Sequence, residues 1–167
     1  MNATCGTEAI QIALTTHQHI HENIKFADQK ALFLTLINTA LIGYTWSQAA
    51  PTTFLFWAKL TTCAALVVGV GFAAWTVRPR GDRPINKSPG LVDPNRIVEY
   101  KDLNQYQTAL NAATQDNILS QLQELIYERS TINQKKYSSL RISIIFSAIG
   151  WAAALTTAIW PTLSPLF

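Results

Sequence analysis

The sequence predicts an all-α integral membrane protein, with three transmembrane helices whose first and last members continue as long cytoplasmic helices forming a bundle. Three observations carry this expectation. The 167 residues hold 13 Lys and Arg and 10 Asp and Glu, yet Lys59 is the one charged side chain between Ala31 and Val77, and Ile142 to Phe167 has none. A soluble amphipathic helix needs a polar face, and these stretches lack one. Apolar residues flanking them recur at helical spacing, and the cationic residues gather at one set of span ends. A small soluble enzyme with a conventional core is excluded.

Residues 1–30 read as a cytoplasmic helix. Ile10, Ala13, His17, Ile20, Ile24, Ala27 and Ala31 are spaced 3-4-3-4-3-4, the seam of a heptad repeat. No basic stretch precedes a short apolar run before a cleavage site, so no secretory signal is expected. A transmembrane hairpin follows over 31–77, its spans at about 31–47 and 54–77. Each has close to the roughly 20 apolar residues that cross a hydrocarbon core. The turn through Pro51 is short enough to force an antiparallel pair.

Residues 78–141 form a cytoplasmic linker and helical region. Pro79, Pro84, Pro89 and Pro94 interrupt any helix over 78–98, and Ile97–Tyr100 has the character of a short extended piece. Helix is expected from about Glu99, with Leu103, Tyr106, Leu110 and Ala113 as its apolar stripe. A second stripe, Ile118, Leu122, Leu125, Arg129, Ile132 and Lys136, is out of phase with the first. A break near Thr114–Asn117 separates them, with Thr114 or Asp116 as cap. The later helix runs through Arg141 into a third span, 142–160, stopped by Pro161, and 161–167 is an outer tail.

Orientation follows from Lys and Arg beside the spans. Lys25 and Lys30 precede the first, Arg78, Arg80 and Arg83 follow the second, and Lys135, Lys136 and Arg141 precede the third. The far loop and tail have none. The N-terminus is therefore cytoplasmic and the C-terminus periplasmic, with Trp46, Trp57 and Trp160 at the outer interface and Trp75 at the inner. Lys59 is expected to snorkel outward beside Trp57. The net charge of +3 is modest and sits at span ends, so nucleic acid is not implied as a partner.

Neither catalytic residues nor a cofactor is expected, because no nucleophile–base pair, phosphate-cradling glycine loop or paired-carboxylate motif occurs. Cys5 and Cys63 make neither a disulfide framework nor a metal site. His17, His19 and His21 lack a second ligand cluster, so no metal is expected, and His17 fits the seam as a packing residue. Asp28 and Lys30 mark the inner membrane surface. Arg129 and Lys136 lie in a packing stripe, where a charge requires a partner, and Asp28 is at a suitable height for Lys136. Whether Asp28 pairs with Lys136 or Arg129 stays open. Within the spans, Asn38, Gly69 and Ala73, and Ser147 and Gly150, lie on polar or small-residue faces suited to close helix packing or contact between copies.

The run HENIKFADQKALFLTLINTALIG resembles the signature of the Pycsar membrane effectors, PycTM type, whose first span opens on an Ala-Asp-x-Lys-Ala element. Here that element is Ala27, Asp28, Gln29, Lys30, Ala31. The run LIYERSTINQKKYSSLRIS, with Ser130 and the Lys136-Tyr137 pair, resembles the approach to that family's last span. The resemblance implies an anti-phage effector in the bacterial inner membrane that answers a cyclic nucleotide made by a partner cyclase: cyclic CMP or cyclic UMP, with a different cyclic nucleotide as the alternative. It then impairs membrane integrity, causing abortive infection.

No β-roll of a cyclic-nucleotide-binding domain is recognisable, so the ligand site must come from helices and linker. Lys25, Asp28, Lys30, Arg129 and Lys136 are the candidate ligand-binding residues, with Arg78 and Arg80 as further cations. A messenger competing with Asp28 for these cations would bias helix packing, and a homo-oligomer would rearrange in the bilayer. Two other classes fit the same topology: a constitutive membrane scaffold that needs no ligand, and a small pore or transporter.

Overall fold

The computed structural model describes residues 3–50, 52–78 and 89–163. Among these the chain is all helical: α1 is Ala3–Ser47, α2 is Thr53–Val77, α3 is Pro94–Ile97, α4 is Leu103–Asn111 and α5 is Gln115–Leu163. At 45 and 49 residues, α1 and α5 far exceed a usual globular helix. The chain divides into two units, one of residues 1–24 and 79–134, the other of residues 25–78 and 135–167, and both long helices contribute to each.

The helix starts have local causes. Thr52 caps α2, its hydroxyl accepting from the Leu55 amide at 3.3 Å. Asp102 caps α4 by accepting from the Gln105 amide at 2.7 Å, while Gln105 Oε1 accepts from the Lys101 amide at 3.0 Å. Of the two candidate caps for α5, Thr114 is used, its hydroxyl accepting from the Asn117 amide at 3.3 Å.

In the first unit, Ala13 and Ile24 of α1 are buried, as are Leu122 and Leu125 of α5 and Leu91. The Leu91 amide donates to Gln121 Oε1 at 2.8 Å, which ties the segment before α3 to α5. Several expectations need correction here. The expected linker over 78–98 contains the short helix α3, which Pro94 opens, because its missing N–H is no loss in a first turn. Ile97–Tyr100 is accordingly a helical turn running into a loop, with Tyr100 N–H donating to Ile97 O at 3.2 Å, and not an extended piece. Helix restarts at Leu103, later than Glu99. The stripe of α4 meets no core: the helix has no buried residue, and Leu103 is 66% exposed. Pro79 and Pro84 lie outside the described residues.

The second unit packs α1 from Lys25, α2, and α5 from Lys135. Ala27, Ala31 and Leu34 of α1 meet Ala73 of α2 and Leu140 of α5, with Val77 and Trp151 against them. The 3-4 seam thus persists past Ala31 into Leu34, Asn38 and Thr45, all buried. Polar side chains occupy much of the interior, including Asn38, Thr62, Thr76, Ser143 and Ser147. Phe33, Leu36, Phe54, Ile145 and Leu155 point outward. This inversion of the soluble pattern is what a lipid solvent permits.

By length and composition α2 and α5 can each cross a membrane, and only 33% and 22% of their most apolar windows are buried within the chain. Buried core helices of a soluble protein would show the opposite. Over the stretch of α1 expected as the first span, Thr35, Asn38, Thr39 and Thr45 dilute the apolar character, and α1 does not meet the same measure. Pro161 does not stop α5, which continues to Leu163. So close to a helix end, a proline removes one backbone bond where several carbonyls already lack partners.

Candidate functional site

The small side chains of Ala27 and Ala31 bring the backbone of α1 close to its neighbours, and Asp28 projects beside them. Lys136 Nζ donates to both of its carboxylate oxygens, Oδ1 at 2.5 Å and Oδ2 at 2.7 Å. The Lys136 side chain is 6% exposed and that of Asp28 30%. The pair is therefore lopsided: the cation is sealed in, and the carboxylate that neutralises it borders the surface. A buried charge without its partner is strongly destabilising, so Asp28 holds Lys136 in the folded packing.

The other expected ligand-binding residues are placed differently. Lys25 and Lys30 are exposed on α1, and the Lys30 ammonium lies 4.3 Å from the centroid of the Phe26 ring. Arg78, at the end of α2, stacks over Trp75 at 5.1 Å. Arg80 and Arg83 lie outside the described residues. Arg129 belongs to the other unit, where it is half-buried and acts on His17.

Burial chiefly, then the positive charge of Arg129 and the neighbouring His21, lowers the His17 pKa below its usual 6.5, against an opposing pull from Asp93. A guanidinium beside this imidazole also opposes any metal cation there. In the same unit Arg96 Nη1 pairs with Glu124 Oε2 at 3.0 Å. Carboxylates Asp93, Glu124 and Glu128 line a small recess with Arg96, which disfavours an anion at that spot.

The residues expected in membrane packing or between copies meet inside the second unit of one chain. Asn38 Nδ2 donates to Ser147 Oγ at 2.7 Å, and Trp151 Nε1 donates to Asn38 Oδ1 at 2.8 Å. Ser147 Oγ in turn donates to Ser143 O, and Ser143 Oγ to Gly69 O, each at 2.8 Å. A Cβ on Gly69 would stand 3.0 Å from both Asn38 Nδ2 and Ser147 Oγ, so glycine is what lets the amide in. A Cβ on Gly150 would stand 2.5 Å from Leu66 Cδ2. Ala73 is fully buried. Contact between copies would have to use other faces.

Trp151 and Lys59 make contacts that the sequence does not predict. Trp151 supplies the donor to Asn38 Oδ1. Its position four residues after Ser147 and one after Gly150, on the edge of the stripe, is the signal in the sequence. Lys59 does not simply snorkel: its ammonium donates to Trp46 O at 3.2 Å and to Gln48 O, at the C-terminal end of α1. A cation there complements the exposed carbonyls and the negative end of the helix dipole.

No curated protein and no solved structure matches the chain. The family model PycTM, described as Pycsar effector protein domain, matches residues 12–163 and so takes in α1 from its third turn through the end of α5. Together with the two apolar helices, this indicates association with a membrane. The chain belongs to the Pycsar effector family, PycTM type, and is an effector of anti-phage defence.

Proposed function

We propose that this effector resides in the bacterial inner membrane, senses a cyclic nucleotide through its cytoplasmic helices, and on binding impairs membrane integrity, so that an infected cell fails before phage matures. Cyclic CMP and cyclic UMP are the messengers, supplied by a partner cyclase. On this reading α1 crosses the bilayer with α2 and α5. Its N-terminus is cytoplasmic, and Lys25, Lys30, Arg78, Lys135, Lys136 and Arg141 gather on the cytoplasmic side. The protein acts without catalysis, by a change in packing, and assembles as a homo-oligomer through its outward faces.

The observation that carries the reading is the lopsided Lys136–Asp28 pair. A sealed cation held by a surface-bordering carboxylate is a place where a phosphate anion gains by displacing the carboxylate, with Lys25 and Lys30 exposed on the same helix to attract it. Displacement frees Asp28 from Lys136. It biases the packing of α1 against α5, the two helices that run unbroken from one unit into the other.

The test is dye release from proteoliposomes of the full chain, with cyclic CMP, cyclic UMP or no nucleotide added. Release that needs a cyclic pyrimidine nucleotide supports the proposal, as does a changed nucleotide requirement in Asp28→Asn. Release that is equal with and without either nucleotide, or absent where another family member leaks, overturns it.

A further inference from the structure

The nine residues of α4, Leu103–Asn111, form a helix in which nothing is buried. Leu103 and Leu110, seven positions apart on one face, are 66% and 42% exposed. Tyr106 lies between them on that face, half-buried, its ring 5.5 Å from that of Tyr100. So short a helix is marginal in water unless tertiary packing supports it. The Asp102 cap and the Gln105 bond to the Lys101 amide hold only the first turn. A cover over the Leu103–Leu110 face would supply the burial that the helix lacks within one chain.

The composition of the helix selects the cover. From Leu103 to Gln115 no residue is charged, and five are Asn or Gln. Asn104, Gln107 and Asn111 follow Leu103, Tyr106 and Leu110 by one position each, so a row of amides borders the apolar stripe. A helix lying on a bilayer surface uses Lys and Arg beside its apolar face, and α4 has neither. A charged protein partner would find no countercharge on it. Where a surface meets its own copy, a charged edge faces like charge and repels. Amides carry donors and acceptors together and can pair with themselves. The stripe and its amide border meet that demand.

We infer that the Leu103–Tyr106–Leu110 face of α4 docks on the same face of a second copy of this chain. The inference rests on the homo-oligomer proposed above and names one of its contacts, and no messenger enters it. A seam of three side chains buries well under the roughly 800 Å² per partner of a stable interface. It therefore serves copies already concentrated in one membrane, where a weak contact is enough.

The experiment is cross-linking of the full chain in proteoliposomes by a short bismaleimide, with no nucleotide, in a Cys5→Ser, Cys63→Ala background. Gln107→Cys, on the bordering row, is expected to give about fivefold more dimer than Thr108→Cys, about 100° further round the helix. Asn104→Glu with Asn111→Glu should cut the Gln107→Cys dimer about fivefold, as should the matching pair of Lys substitutions. Mixing Glu-bearing copies with Lys-bearing copies should restore it, which no loss of folding could mimic.

Equal cross-linking at positions 107 and 108, or a dimer indifferent to the Glu pair, overturns the contact. A Gln107→Cys thiol that a water-soluble maleimide labels in detergent but not in liposomes, without dimer, overturns it in favour of the bilayer surface as the cover. Because no nucleotide is added, failure here leaves the leakage reading intact with copies meeting through other faces. A silent leakage assay likewise leaves a cross-linked α4 pair standing.

Discussion

Lys136 donates to both carboxylate oxygens of Asp28, so that two residues 108 positions apart share one partly buried charge pair. The pair joins the opening of the Ala27–Ala31 element on α1 to the Lys136-Tyr137 element on α5. The two stretches of sequence that resemble the family are thus physically one contact. Three consequences of the packing can be measured on the full chain in detergent.

Asp28→Asn leaves the Lys136 cation buried and unpaired. The variant is expected to lose about 3–5 kcal/mol of stability, read as a lower melting temperature or as messenger-independent leakage. Adding Lys136→Met to the same chain should recover most of the loss, because an apolar side chain of similar volume needs no partner. A double variant as unstable as the sum of the singles would mean that the pair does not couple.

Gly150→Ala places a Cβ 2.5 Å from Leu66 Cδ2 and 2.7 Å from its Cγ, both fully interior. Overpacking of this kind is expected to cost about 1–3 kcal/mol. Leu66→Ala in the same chain should relieve the clash, so the two substitutions together cost less than their separate losses combined. Unchanged melting in Gly150→Ala would show that α2 and α5 do not approach this closely at Gly150.

His17 has a folded-state pKa below 6.5, from burial first and the Arg129 charge second. Its neutral form is therefore the one the fold favours. This contribution is fully present above pH 6.5, declines as the pH falls from there through the lower folded value, and then levels off. Titration of the His17 imidazole by NMR should give a value under 6.5, and Arg129→Gln should raise it. His17→Gln should flatten the acid side of the stability profile. A His17 signal titrating above 6.5 contradicts the packing of this unit.

Much of this architecture is legible in the residues themselves. The seam from Ile10 to Ala31 is a repeat of 3 and 4, and burial follows it along α1 into Leu34, Asn38 and Thr45. The cap at Thr114 is short-range chemistry and so is legible in the sequence, whereas α4 starts at Leu103 and not at the expected Glu99. Periodicity fails at α4 for a physical reason. It reports that a helix has an apolar face, not that anything covers it, and Leu103 and Leu110 are exposed. The short α3 is missed for a different reason, because a proline such as Pro94 reads alike whether it ends a helix or opens one.

The sequence alone determines a helical chain with an apolar exterior, because charge depletion, heptad spacing and caps all act over a few residues. Tertiary structure decides that Lys136 rather than Arg129 meets Asp28, that Asn38 closes a chain with Ser147 and Trp151, and that Lys59 turns to the last carbonyls of α1. Each depends on the axial register between helices, which in two of the three cases lie more than a hundred residues apart. A shift of one turn, about 5.4 Å, would change every one of these partners while leaving each local pattern as it was.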